Sequence, residues 1–159
     1  MQIRIAGLVP ESYVDGCGIR FAVFMQGCLR HCTGCHNPNT HALDGGKIFD
    51  TADIIAQFVS NKLLSGITLS GGEPFLQQPA AIELADAAYC AGLDVWCYTG
   101  HTFDDVKTSP LINFVDVLVD GAFDISRRDL NLPFRGSNNQ RLINVPASLA
   151  SNKIVEFEL

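Results

Sequence analysis

The chain is short of positive charge, with 11 Lys and Arg against 17 Asp and Glu and a formal net charge of -6. That balance argues against a nucleic-acid partner, which favours a basic face. No apolar run approaches the roughly 20 residues needed to cross a bilayer. The stretch MQIRIAGLVPES carries neither the apolar core nor the cleavage site of a signal peptide. A soluble, cytoplasmic protein with no membrane partner is the expectation. Walker and Rossmann glycine patterns are missing, and no Ser/His/Asp or paired-carboxylate constellation stands out. There is no internal repeat or low-complexity linker. Hydrophobic residues make up 47% and charged residues 18%, which leaves no disorder signature. With 159 residues there is length for one sizeable core and little more, so 1–159 is read as a single domain.

What the chain does have is cysteine, six residues of it. Without a secretory signal these favour a metal or redox role over disulfides. Cys28, Cys32 and Cys35 lie in GCLRHCTGCHNPNTH with C-x3-C-x2-C spacing. Three thiolates from one short loop can hold three corners of a cubic iron-sulfur cluster, and with no fourth cysteine nearby one iron stays open to an outside ligand. The spacing differs from the ferredoxin runs. Cys17, Cys90 and Cys97 are too scattered for spacing to nominate a fourth ligand. A structural zinc site completed by His31, His36 or His41 is the alternative, because zinc takes closed N/S coordination. The spacing alone leaves both open.

Around this loop the pattern alternates strands and helices. Phe21 to Gln26 is a buried strand leading into the cysteines. Ile54, Ile55, Phe58, Val59 and Leu63 share one face of a helix from Thr51 to Leu64, capped near Asp50. A strand at Gly66–Ser70 precedes Gly71-Gly72-Glu73-Pro74 and a helix from Ala80 to Ala91, stopped by Gly92. Strands follow at Leu93–Tyr98 and Val115–Val119, with a weak helix between Phe103 and Phe114 broken near Pro110. Beyond Asp120 a long functional loop is expected, then a late strand at Arg141–Val145 and an edge strand at Ile154–Phe157. The fold class is α/β, an open partial (β/α) barrel of about five or six mostly parallel strands, too few to close.

Ligands bind at the carboxyl ends of strands in such sheets, and each candidate motif falls there. The glycines at 71 and 72 would let a small molecule approach the backbone, and the Glu73 carboxylate could accept hydrogen bonds from an ammonium group. Asp120 could bind a ribose hydroxyl or a cation, His36 and Asn37 could line an adenine pocket, and Thr99 and Gly100 are ligand or turn residues. Taken singly, each reads equally as an ordinary turn. Arg127, Arg128, Arg135 and Arg141 gather positive charge in an acidic chain, for a carboxylate, for a partner surface, or simply for solvent.

Together these segments resemble the radical S-adenosylmethionine (SAM) proteins, and among them the activating proteins of anaerobic ribonucleoside-triphosphate reductase. The resemblance rests on Asp15 to Arg20 followed by FAVFMQGC, the three-cysteine loop, LSGGEP at 69–74, WCYTG at 96–100, VLVDG at 117–121 and LPFRGSNNQR at 132–141. It implies an oxidoreductase whose 4Fe-4S cluster is held by Cys28, Cys32 and Cys35, with SAM chelating the remaining iron. It implies SAM contacts from Gly34, Cys35, His36, Gly71, Gly72 and Glu73, and from Thr99 and Asp120 through a cation or directly. Many such proteins carry an aromatic at the Gly34 position, so adenine packing must come from elsewhere; the family usually has proline where Cys17 stands. The activity implied is one-electron cleavage of SAM and formation of a glycyl radical on the reductase large subunit, with a one-electron donor such as flavodoxin. An activator of another glycyl-radical enzyme, such as pyruvate formate-lyase, is the alternative within the class, and a zinc-stabilised binding module the alternative outside it.

Overall fold

The computed structural model describes residues 1–159. One seven-stranded sheet organises them, in the order β3-β1-β2-β4-β5-β6-β7. The strands are β1 (Gln2–Ser12), β2 (Arg20–Met25), β3 (Lys47–Asp50), β4 (Gly66–Gly71), β5 (Asp94–Tyr98), β6 (Val117–Asp120) and β7 (Arg141–Asn144). The centre, β2-β4-β5-β6, is parallel. Both flanks are antiparallel: β1 on β2, β3 on β1, and β7 on β6. The sheet is open, since β3 and β7 end it on opposite sides.

Parallel strands need crossovers, and three segments supply them. Helix α1 (Thr51–Ser60) starts where Asp50 accepts the N–H of Ala52, at 3.0 Å. Helix α2 (Gln78–Cys90) links β4 to β5, and the short α3 (Phe103–Val106) with a 3₁₀ turn at Pro110–Phe114 links β5 to β6. The break near Pro110 falls where the sequence places it. A fourth helix, α4 (Val145–Ser151), was not anticipated; Asn144 caps it by accepting from Ala147 N.

The differences from expectation lie at the sheet edges. Seven strands replace five or six, and three of the six pairings are antiparallel. Strand β1 carries Gly7 and Pro10, both poor strand residues, and it is bulged between Ile5 and Gly7 and between Val9 and Ser12. Half of it is solvent-exposed, so its apolar alternation fades after Ile5. Helix α1 stops at Ser60 rather than Leu64, because Asn61 turns the chain with its side chain accepting from Leu63 N. The 154–157 segment joins β7 only through the bridge Ile143↔Glu156.

Strand alternation divides the sheet into two faces. Phe21, Val23, Met25, Ile67, Leu69, Val95, Cys97, Leu118 and Ile143 point at the helices and form the main core with Ile54, Phe58 and Leu84. Each large apolar side chain buried there contributes about 1.5–3 kcal/mol. The opposite face carries Trp96, Val117, Val119 and Leu142, covered by Phe134 and Phe157. Arg20 is fully buried on it, under Trp96 at 5.3 Å. Its guanidinium donates to Thr68 Oγ1, Cys17 O, Ile67 O and Asp94, so the charge is paired and every edge of the group is used. This plug fills the lower part of the second face, and above it the strand ends open into a cleft.

Candidate functional site

The cysteine loop begins where β2 ends. Gly27 N donates to Thr40 O at 2.8 Å and Cys28 N to His41 O at 3.1 Å, closing the loop at its base. The Gln26 side chain ties that base further, donating to Asn39 O and Ala42 O. Two residues inside the loop, His31 (φ 48) and Gly34 (φ 72), are left-handed, and a turn runs from Cys32 O to Cys35 N. All three cysteines are free and half-buried. Cys35 Sγ accepts the N–H of Asn37 at 3.4 Å.

The next strand end is joined to this one. Gly72 N donates to Met25 O and Glu73 N to Gly27 O, both at 2.8 Å. A side chain on Gly71 or Gly72 would strike the backbone of Met25 or Gly27. The two glycines therefore permit strand-end contact within the protein, a reason that stands beside the ligand approach suggested by the sequence, since both also line the cleft. Glu73 is buried, and its carboxylate already accepts from Phe75 N, Thr99 Oγ1 and Gly100 N. His101 Nε2 lies 3.9 Å away. Arg30 donates to His101 Nδ1 at 2.9 Å; arginine has no acceptor, so the imidazole proton is placed on Nε2, facing Glu73. Residues after β2, β4 and β5 are thus linked from Arg30 through His101 and Glu73 to Thr99.

These strand ends surround one cleft of about 350 Å³, lined by Cys28, Cys32, Cys35 and His36 on one side and Gly71, Gly72, Glu73 and Thr99 on another. Gly34 and Asp120 do not line it. Gly34 is exposed, and a side chain there would meet Ile125 Cδ1, from the 121–140 segment, at 2.8 Å. Asp120 is buried below the rim, where it accepts from Phe103 N at 2.8 Å and pairs with Arg141. The Arg141 guanidinium is held further towards its charged form by that hydrogen bond. Asp120 ties β6 to β7 and to the start of α3, and its neighbour Gly121 reaches the cleft.

Other lining residues escaped the sequence reading as ligand candidates: Asp15, Tyr98, Phe123 and Gln140. Tyr98 was findable, since alternation from Val95 and Cys97 sets Trp96 and Tyr98 on the other face. Burial pushes its phenol up. Phe123 and Gln140 come from a loop without periodicity and carried no such signal. The four arginines take separate places: Arg127 donates to Asn138, Arg141 pairs with Asp120, Arg128 is exposed, and Arg135 lines the cleft.

The donor set fits an iron-sulfur cluster held by three thiolates. Cys28, Cys32 and Cys35 face one cleft unpaired, and Cys35 already accepts a backbone N–H as cluster-ligating sulfurs do. The remaining cysteines point elsewhere: Cys17 packs beside Trp96 and its neighbours, Cys90 is exposed, and Cys97 is buried in the helical core. Three buried polar atoms in the chain lack partners, and two of them, His41 Nε2 and Arg135 Nε, belong to cleft residues.

An open α/β sheet with three free thiols at one strand end is the arrangement an iron-sulfur protein presents. The family model described as a 4Fe-4S single cluster domain matches residues 14–143. The anaerobic ribonucleoside-triphosphate reductase-activating protein of Enterobacteria phage T4 is 34% identical over 146 residues, covering 85% of this chain and 90% of that one. Those of Salmonella typhi and Escherichia coli strain K12 are 36% and 35% identical over 141 residues, each covering 82% of this chain and 92% of the relative. The chain belongs to the family of anaerobic ribonucleoside-triphosphate reductase-activating proteins. In fold it is similar to the crystal structure of QueE from Escherichia coli, with a TM-score of 0.50 and 19% identity over 64% of this chain and 54% of that one. No helix is long and apolar enough to cross a membrane.

Proposed function

We propose that this chain is a radical SAM activase that generates a glycyl radical on the large subunit of anaerobic ribonucleoside-triphosphate reductase. Cys28, Cys32 and Cys35 hold a 4Fe-4S cluster, and SAM occupies the cleft between them and the segment Gly71-Gly72-Glu73. The observation that carries this reading is the shared cleft: three free thiols and the SGGE turn line one opening, bonded to each other through Gly27 and Glu73. When bound, the cluster and SAM supply reductive cleavage of the sulfonium and hydrogen-atom abstraction from a partner glycine, on an electron from a donor such as flavodoxin.

The chain's own residues bind, orient and enclose. Gly72, pressed against Gly27, fixes the distance between the thiolate loop and the methionine-binding turn. Glu73 is held in place by Thr99 and Gly100, and Arg30 holds His101 beside it, so the carboxylate meets a ligand ammonium without reorganising. His36 stacks near Phe123, at 5.0 Å between ring centroids, as the wall of an adenine pocket. Asp120 acts from below, through Arg141 and α3. The open sheet, with helices on one face only, is read as a partial barrel whose mouth admits a polypeptide loop. The reaction belongs to the cytoplasm, where the reductase substrate is.

The test is SAM turnover by anaerobically reconstituted, reduced protein, followed by electron paramagnetic resonance after adding the reductase. The expected result is 5′-deoxyadenosine and methionine, with a glycyl doublet on the reductase. SAM cleavage with a doublet only on another glycyl-radical protein would reassign the partner, and no cleavage by cluster-loaded protein would overturn the activity.

A further inference from the structure

We infer that Arg135 is a carboxylate-binding residue of the cleft, an inference that rests on the SAM reading above. Every other arginine that is not exposed has protein partners: Arg4 on Asp44 O and Gly45 O, Arg20 on Thr68 and Asp94, Arg141 on Asp120. Arg135 is partly buried and lines the cleft, yet it makes no ion pair and its Nε is buried without an acceptor. Guanidinium groups carry a fixed charge, five donors and no acceptor, so Arg135 is left with charge and donors free for an anion.

The strap that carries Arg135 is built rather than loose. Phe134 is left-handed at φ 59, a conformation that a bulky residue adopts only under constraint. Its ring packs edge-on against Trp96 at 5.3 Å. On the other side, Gly136 N and Ser137 N both donate to Gln140 Oε1, at 2.9 and 3.2 Å. A side chain on Gly136 would press on Phe123 and His36. Arg135 is thus fixed between two anchors, on the wall that carries the His36 and Phe123 rings.

The chain itself offers it no counter-ion. Of the cleft carboxylates, Glu73 is engaged by Thr99 and Gly100, and Asp15 accepts from Ser12 Oγ. The second cleft arginine, Arg30, is bound to His101. Nε is buried, so the terminal Nη–H groups, which bond to nothing in the chain, are the donors that meet a carboxylate. That carboxylate comes either from the methionyl end of SAM or from an acidic side chain of the partner's loop.

The experiment measures binding to cluster-loaded, anaerobic wild-type, Arg135→Gln and Arg135→Lys proteins, with iron content and near-ultraviolet circular dichroism as folding controls. The probes are SAM, 5′-methylthioadenosine, which lacks the carboxylate, and the reductase. If SAM is the source, Arg135→Gln weakens SAM about tenfold or more, Arg135→Lys less, and methylthioadenosine is unchanged. If the partner is the source, SAM binding holds and reductase affinity falls by a similar factor. Arg135→Gln binding both SAM and reductase as the wild type does would overturn the inference alone. A cluster-loaded wild type that binds no SAM would overturn the SAM reading, and this inference with it.

Discussion

A Cβ on Gly72 would stand 2.2 Å from the carbonyl oxygen of Gly27, the residue before Cys28. Strand end and cysteine loop therefore touch through backbone alone. Because the obstacle is a main-chain atom, a substituted residue 72 must push the loop away.

Gly72→Ala is expected to destabilise the fold by about 1–3 kcal/mol, the usual cost of over-packing, and to lower iron retention beyond that. Urea unfolding of the apoprotein and iron content after reconstitution measure the two effects. Gly92→Ala is the control: it has a positive φ (74) but nothing within 4 Å, so it should cost stability without altering iron content.

Thiol reactivity should separate Cys97 from Cys90 and the three loop cysteines. Burial, with a smaller contribution from the Glu73 charge, pushes the Cys97 thiol well up. Thiolate is the reactive form, so iodoacetamide should modify Cys90 and the three loop cysteines of native apoprotein within minutes and leave Cys97 for the denatured state. Peptide mass spectrometry reads this order, and early labelling of Cys97 would contradict its place in the helical core.

Stability should fall with alkali for the same reason. Cys97 and Tyr98 both titrate higher in the folded protein than their ordinary values of 9.0 and 10.0, chiefly through burial. Above those values the unfolded chain loses protons that the folded chain keeps, so unfolding gains with rising pH. The stability that neutral Cys97 and Tyr98 confer is whole below pH 9.0 and declines above it. Cys97→Ala should flatten the first part of that decline in urea titrations between pH 8 and 11; an unchanged slope would contradict it.

Arg20→Met should destabilise the protein by about 3 kcal/mol or more, since it strands Thr68 and the carbonyls of Cys17 and Ile67 beneath Trp96. Asp120→Asn should also lower the melting temperature, because Arg141 and Phe103 N lose a charged acceptor. If Asp120 acts only from below the rim, SAM affinity per folded molecule is unchanged; a large rise in Kd would place it in direct contact.

The central strands were legible because β4, β5 and β6 are short apolar runs between turn residues, and their alternation is intact. Strand β1 was not, since Gly7, Pro10 and an exposed outer half erase its pattern. The Cys28, Cys32 and Cys35 spacing and the SGGE turn announced a site, but not why glycine is needed there, because Gly27 and Gly72 meet only in three dimensions. The structural partner of Asp120 was hidden for a similar reason: Arg141 lies 21 residues on, across a loop without periodicity. That loop also supplies Phe123, Ile125 and Arg135, whose places depend on folding over the sheet rather than on local sequence.

Cluster ligation by Cys28, Cys32 and Cys35, proposed above, has a direct measurement. Iron and acid-labile sulfide should be determined in anaerobically reconstituted wild type and in the Cys28/Cys32/Cys35→Ala triple variant. If these three thiolates hold the cluster, there will be close to four of each per wild-type chain and almost none in the variant, with matching far-ultraviolet circular dichroism. Equal iron in both proteins, or zinc in place of iron in the wild type, would contradict it.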